Sequence, residues 1–430
     1  MKKLLLMLLL LSVTVGALNS CMLPLGLLSG SNGEEDYITK EETEKLISDN
    51  LGSNVTVNGG DKYEVTVNNP AASNVVAASV GLLSSVTIES NFKMDYKSGF
   101  GAGSSTSTKE YSSRGAGVIY KIDENKPGNA YIITNYHVVY DYRANTSNRI
   151  SDDIKVYLYG MEAEKYAISA TYVGGSLNYD LAVLKIENNR TLAESSAVAV
   201  SFADSDKVSV LDTAIAIGNP AGGGISATVG YVNVDSEQLS MVGADNSTTV
   251  NLRVMRIDAA VNSGNSGGGL FNDKGQLIGI VNAKMSSSSI DNIGYAIPSN
   301  VVKYITENIL YYCDGTDKES VYRCIVGVVV DAERSYTEYD SASGRVYKME
   351  TVVISEIVSG GGADGKLQLG DIINAITIDG TSYAVTRTHH VIDNMLNARP
   401  GSRVVFNVTR GGTPVNVEIE ITEEFLTKYA

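Results

Sequence analysis

Gly264-Asn265-Ser266-Gly267-Gly268-Gly269 is the stretch on which the reading of this chain turns. Glycines around a serine let the backbone bend tightly and aim its N–H groups at one point, as an acyl-transfer site must to hold an oxyanion. Ser266 is then a candidate nucleophile. A serine hydroxyl needs a base at neutral pH, and the 430-residue chain offers three histidines, His137, His389 and His390. His137 lies in Thr134-Asn135-Tyr136-His137-Val138-Val139, directly after an apolar run. Asp180 opens Asp180-Leu181-Ala182-Val183-Leu184-Lys185, a carboxylate leading into a buried strand and suited to orienting an imidazole. The competing arrangement puts Ser266 on a strand-turn-helix elbow with His389 or His390 as base. Its context argues against it: Leu270-Phe271, a turn at Asn272-Asp273-Lys274-Gly275 and a further strand follow, where that fold needs a helix.

From about residue 71 to 310 the chain is a succession of short β-branched runs separated by Gly, Asn and Ser, among them Tyr131-Ile132-Ile133, Ile154-Lys155-Val156-Tyr157 and Leu277-Ile278-Gly279-Ile280-Val281. This pattern predicts a mainly β domain. Lys93 to Arg114, rich in Gly, Ser and Thr, reads as a long mobile loop, and a helix from Ser299 to about Tyr312 buries Val302, Ile305 and Ile309. A second compact region runs from Cys324 to Thr422. Its helix near Thr386–Ala398 presents Val391, Ile392, Met395 and Leu396 as an apolar wall, with His389 and His390 exposed in the first turn.

These residues resemble the HtrA (DegP-like) family of trypsin-like proteases. The resemblance is carried by the His137 and Asp180 segments, Ala216-Ile217-Gly218-Asn219-Pro220, Asp258 through Gly268, and Gly294-Tyr295-Ala296-Ile297-Pro298-Ser299-Asn300, in the family's order. Ser263 and Gly269 stand where the family usually has proline, and Ile257 where it often has threonine. The resemblance implies a trypsin-like double β-barrel with His137, Asp180 and Ser266 as triad and the N–H groups of Gly264 and Ser266 as oxyanion hole. It places uncharged Ala260 at the base of the specificity pocket, and it implies no metal or cofactor. Gly365-Lys366-Leu367-Gln368-Leu369-Gly370-Asp371-Ile372-Ile373, followed by Ile378-Asp379-Gly380, resembles a bacterial PDZ domain. Ile325, Val326, Gly327 and Val328 stand at its carboxylate-binding loop, where backbone N–H groups converge on a peptide C-terminus. The implied activity is hydrolysis of unfolded or damaged exported proteins by a homotrimer. The alternative is a peptide-binding sensor or holdase chaperone with a latent protease domain.

A formal charge of -15 and the lack of a basic stripe argue against a nucleic-acid partner. Lys2 and Lys3 precede an apolar run from Leu4 to Val15, an export signal too short to span a bilayer. Leu18-Asn19-Ser20-Cys21 resembles a bacterial lipobox, which makes Cys21 the expected lipidation site and the cell-envelope membrane the expected anchor. The expected organisation is a signal peptide over 1–20, a tether and stalk over 21–70, the protease domain over 71–312, a linker over 313–323 and the PDZ domain over 324–425. Within the stalk, Thr39 to Asp49 reads as a short helix and Val55, Val57, Tyr63, Val65 and Val67 as a hairpin. Cys313 and Cys324 either form a disulfide or remain two thiols.

Overall fold

The computed structural model describes residues 55–58, 64–67, 70–98, 105–285, 293–313 and 321–429. Cys21 and the stalk helix expected over Thr39–Asp49 lie outside them. The stalk hairpin is present, with β1 (Val55–Asn58) antiparallel to β2 (Glu64–Val67). Helix α1 (Pro70–Ser84) follows, where the sequence suggests only strands. It lies close against the second barrel: a Cβ on Gly81 would come 2.5 Å from Ile217 Cδ1.

Two closed antiparallel barrels come next. The first orders β3 (Ser85–Ser98), β4 (Ser105–Asp123), β5 (Lys126–Thr134), β8 (Leu181–Ile186), β7 (Ile168–Ser176) and β6 (Asp153–Leu158). The second orders β10 (Ser226–Val242), β11 (Thr249–Ile257), β14 (Gly294–Pro298), β13 (Leu277–Val281), β12 (Gly269–Phe271) and β9 (Thr213–Gly218). Strand alternation explains why their central runs are apolar at every position. Ile132, Ala182 and Leu184 fill the first barrel, while Ile133, Leu181 and Val183 point into the seam between barrels. Ala214 and Ala216 fill the second barrel, and Ile215 and Ile217 meet the seam from the other side. Helix α3 (Ser299–Cys313) closes the seam with Val302, Ile305 and Ile309, as its periodicity predicts.

Lys93 to Arg114 is not a loop throughout. β3 and β4 pair without a break from Ser85↔Val118 to Ser98↔Ser105, forming a long hairpin. Phe92 stacks on Tyr111 at 5.5 Å, and Lys109 lies 4.8 Å over the Tyr96 ring. These aromatic contacts across the pair hold together a Ser- and Thr-rich stretch whose composition alone suggests a loop.

The C-terminal region is a sheet ordered β16 (Val328–Asp340), β17 (Arg345–Ile357), β18 (Ile372–Ile378), β20 (Arg403–Arg410) and β21 (Thr413–Glu420), with β19 (Thr381–Ala384) paired to β18. Helix α4 (Thr388–Asn394) packs on it over a core that includes Ile354, Ile376, Val391, Met395 and Phe406. β15 (Val321–Cys324) pairs with β22 (Leu426–Tyr429) at the junction of the two domains. Leu396 of the PDZ region is packed into the seam cluster of the protease. Cys313 and Cys324 are both buried thiols with no disulfide between them. Burial pushes the Cys324 thiol up to about 12, which leaves little thiolate to react.

Candidate active site

His137 leaves β5 on a four-residue helical turn, α2 (Tyr136–Val139). Asp180 holds this turn from beneath: its Oδ1 accepts from His137 N at 3.0 Å and its Oδ2 pairs with His137 Nδ1 at 2.7 Å. An ionised carboxylate only accepts, so this contact puts the proton on Nδ1 and leaves Nε2 as a lone pair. Asp180 is 5% exposed and has a left-handed backbone, φ 48°. Such a conformation costs on the order of 1 kcal/mol for a non-glycine residue, which the Asn135 Nδ2 hydrogen bond to Asp180 O, at 2.8 Å, helps to offset.

Ser266 sits between two glycines in left-handed conformations, Gly264 at φ 98° and Gly267 at φ 84°. Both positions also exclude a side chain by contact. A Cβ on Gly264 would lie 2.1 Å from Asn219 O, and one on Gly267 2.2 Å from Ala116 O. Ser266 O accepts from Ala116 N at 2.8 Å, which ties the loop to the first barrel. Within this loop, Asn265, Gly267 and Gly268 donate their N–H groups to Asn262, Val281 and Asn265 carbonyls. Among the described residues, the N–H groups of Gly264 and Ser266 have no acceptor. Those are the two donors that the family resemblance implies for the oxyanion hole.

Asn282 and Ala283, just past β13, connect the two halves. Asn282 Nδ2 donates to Asp180 Oδ2 at 2.7 Å, and Ala283 N donates to Ser266 Oγ at 3.2 Å. Among the described residues no hydrogen bond joins Ser266 Oγ to His137. The hydroxyl rests on Ala283, with its own proton free to be given up; hydrogen bonds of this kind often tighten only when substrate is bound. Nothing in the sequence marks Asn282, Ala283 or Asn135 for these contacts, since their partners lie 17 to 102 residues away.

Ala260 is exposed, and its carbonyl accepts from Thr228 Oγ1 at 2.9 Å. The nearby carboxylate of Asp258 is engaged by the Tyr231 N–H at 2.6 Å. In the PDZ region, Gly327 adopts φ 80°. Among the described residues the N–H groups of Val326 and Gly327 have no acceptor, whereas Ile325 N donates to Phe425 O at 2.8 Å. Val328 opens β16, which is an edge strand of its sheet. The apolar wall expected on α4 is largely absent. Val391, Met395 and Leu396 are buried in the interior, and only Ile392 remains exposed, at 45%. His389 and His390 do not stand in solvent either. His390 is 6% exposed, and both line a cavity between the two domains. Strands β12 and β13, not a helix, follow Ser266.

Two barrels meeting at an Asp–His pair beside a glycine-bound serine make this a trypsin-like serine endopeptidase, with a PDZ domain behind it. Residues 115–280 match the trypsin-like peptidase domain family and residues 326–421 the PDZ domain family. The chain is 32% identical to the serine protease Do-like HtrA of Lactococcus lactis subsp. cremoris (strain MG1363), over 80% of this chain and 82% of that protein. It is 34% identical to the serine protease Do-like HtrA of Bacillus subtilis (strain 168), over 76% and 67%. It is 28% identical to the periplasmic pH-dependent serine endoprotease DegQ of Escherichia coli (strain K12), over 71% and 59%. The chain belongs to the HtrA family of serine proteases.

Proposed function

We propose that this protein cleaves unfolded or damaged exported proteins by acyl-enzyme chemistry, with Ser266 as nucleophile, His137 as proton carrier and Asp180 as the group that orients it. The observation that carries this reading is the Asp180 carboxylate, which accepts from both His137 Nδ1 and Asn282 Nδ2 while the next residue, Ala283, holds Ser266 Oγ. In this mechanism Ser266 Oγ attacks the peptide carbonyl and passes its proton to His137 Nε2. The Gly264 and Ser266 N–H groups receive the oxyanion, and the imidazolium protonates the leaving amine. Ala260 brings no charge to the pocket base, and Asp258 is engaged by backbone, so small aliphatic residues should precede the cut. The test uses two peptidyl phosphonates, one with valine and one with lysine before the reactive phosphorus. The valine compound should label Ser266, as read by mass spectrometry, at least tenfold faster than the lysine compound. Faster labelling by the lysine compound would refute the pocket, and adducts elsewhere would refute the nucleophile.

The PDZ region is proposed to take peptide C-termini. Two adjacent N–H groups without acceptors, at Val326 and Gly327, suit a carboxylate, and the open edge of β16 suits an added strand. A peptide with a free hydrophobic C-terminus should bind at least tenfold more tightly than its amidated twin in isothermal titration, and should raise the cleavage rate. Equal affinities would remove the carboxylate loop from this reading.

The export signal and Cys21 lead us to place the enzyme outside the cytoplasm with a lipid anchor, and the family resemblance leads us to expect a homotrimer. Among the described residues no helix is long and apolar enough to cross a membrane. Cys21→Ala should move the protein from the membrane to the soluble fraction, where sedimentation should give three chains per particle. Undiminished membrane partition would contradict the anchor.

A further inference from the structure

The cavity between the protease and PDZ domains, about 490 Å³, has side chains from both sides on its wall. From the protease comes Asp206, on the short turn Ser205–Lys207, and from the PDZ domain come His389 and His390 on α4. One ligand atom from each of the three lies within 4.8 Å of the others. We propose that Asp206, His389 and His390 form a binding site for a single divalent cation of the Zn²⁺, Ni²⁺ or Cu²⁺ class that fastens the PDZ domain to the protease.

Two imidazoles and one carboxylate, with no thiolate, suit this class of metal and leave a position for water. A small closure of the side chains would bring three atoms at this spacing to the coordination distance of about 2 Å. The ligands are also pre-oriented. Asn300 Nδ2 donates to Asp206 Oδ2 at 3.0 Å, which leaves Oδ1 facing His390 Nε2 at 3.6 Å. His390 Nδ1 lies 3.4 Å from Thr386 Oγ1, a hydroxyl that can accept its proton when Nε2 binds metal. That tautomer gives up a hydrogen bond of 3.3 Å from Thr386 N, a small loss beside a metal–ligand bond. Arg253, 3.8 Å from Asp206, and Arg387 are opposing charges on the cavity wall, but Arg253 is paired with Asp393 at 2.7 Å and Arg387 with Asp235 at 3.0 Å. The ligands come from two domains, so separating the domains and releasing the ion would be one event. Whatever pulls the PDZ domain away would weaken the metal, and metal would resist that pull by the same free energy.

The test titrates the full chain carrying Ser266→Ala, which blocks self-cleavage, with ZnCl₂ by calorimetry and then with Co²⁺ by visible absorption. One ion per chain should bind. Asp206→Asn and His389→Gln, neither residue fully buried, should each weaken binding by at least tenfold and remove the cobalt d–d bands, with circular dichroism unchanged. Zn²⁺ should raise the melting temperature of the parent and not of these variants. The proposal is overturned if the parent binds no ion or if both variants bind as the parent does. It is equally overturned if binding is lost in His137→Ala or Cys324→Ser instead, which would put the ion at the catalytic pair or the thiols.

Discussion

Ser266→Ala should lower kcat by about 10⁶, the scale of losing a serine nucleophile in a triad enzyme. The fold should survive it. Ser266 is 6% exposed, and alanine keeps its Cβ while removing one oxygen. That oxygen accepts a 3.2 Å hydrogen bond from Ala283 N, and leaving this donor without a partner costs about 1–3 kcal/mol. Gly264 and Gly267 keep their left-handed conformations, so the loop and its two N–H donors should remain in place. The comparison is release of fluorescent peptides from labelled casein by wild type and variant, alongside thermal unfolding. Cleavage by the purified variant within a hundredfold of wild type would remove Ser266 from the mechanism.

Asp180→Asn should reduce kcat by about 10⁴ with little change in KM. Three donors converge on the Asp180 carboxylate: His137 N, His137 Nδ1 and Asn282 Nδ2. An amide has one accepting oxygen and an NH₂ group where the other oxygen was. With the amide oxygen in the Oδ1 position, accepting from His137 N, the NH₂ group takes the Oδ2 position, where it opposes the Asn282 Nδ2 donor and meets Nδ1, which then gives up its proton and becomes the acceptor. The proton moves to Nε2, and the imidazole can no longer take one from Ser266. The loss should shrink as pH rises, because hydroxide can substitute for the missing base. A variant with wild-type kcat at pH 7, by the same peptide-release assay, would show that Asp180 does not set the tautomer.

The residues of the proposed triad stand out in the sequence because each lies in a short motif that shapes its own surroundings. Gly264 and Gly267 are needed by the backbone around Ser266, and the apolar runs beside His137 and Asp180 are strands buried on both faces. Asn282 is not legible, because its contact with Asp180 spans 102 positions and depends on how the two barrels meet. The same limit explains His389 and His390. A helix of the PDZ domain, read by itself, puts them in solvent, and only the protease surface around Asp206 and Arg253 covers them. The β3–β4 hairpin was hidden for another reason. Its stability comes from pairs such as Phe92 with Tyr111 across the strands, while its composition is that of a loop. Helix α1 shows the opposite case, a run of Ala, Ser and Val with no strong periodicity that becomes helical where it packs against Phe271 and Ile217.

The pairing of β15 with β22 bears on how the molecule is made. Cys324 lies opposite Leu426, so β15 must wait for about 100 further residues before its partner exists. The barrels can close as the chain emerges, because all their strands precede β15. The junction cannot. Ser176, which donates its hydroxyl to Tyr429 O, and Tyr179, whose ring lies 5.5 Å from that of Tyr429, therefore lack this cover until β22 has been made. During that interval the barrels have formed without the domain that later docks on them, and assembly of the junction follows barrel closure, timed by the arrival of β22.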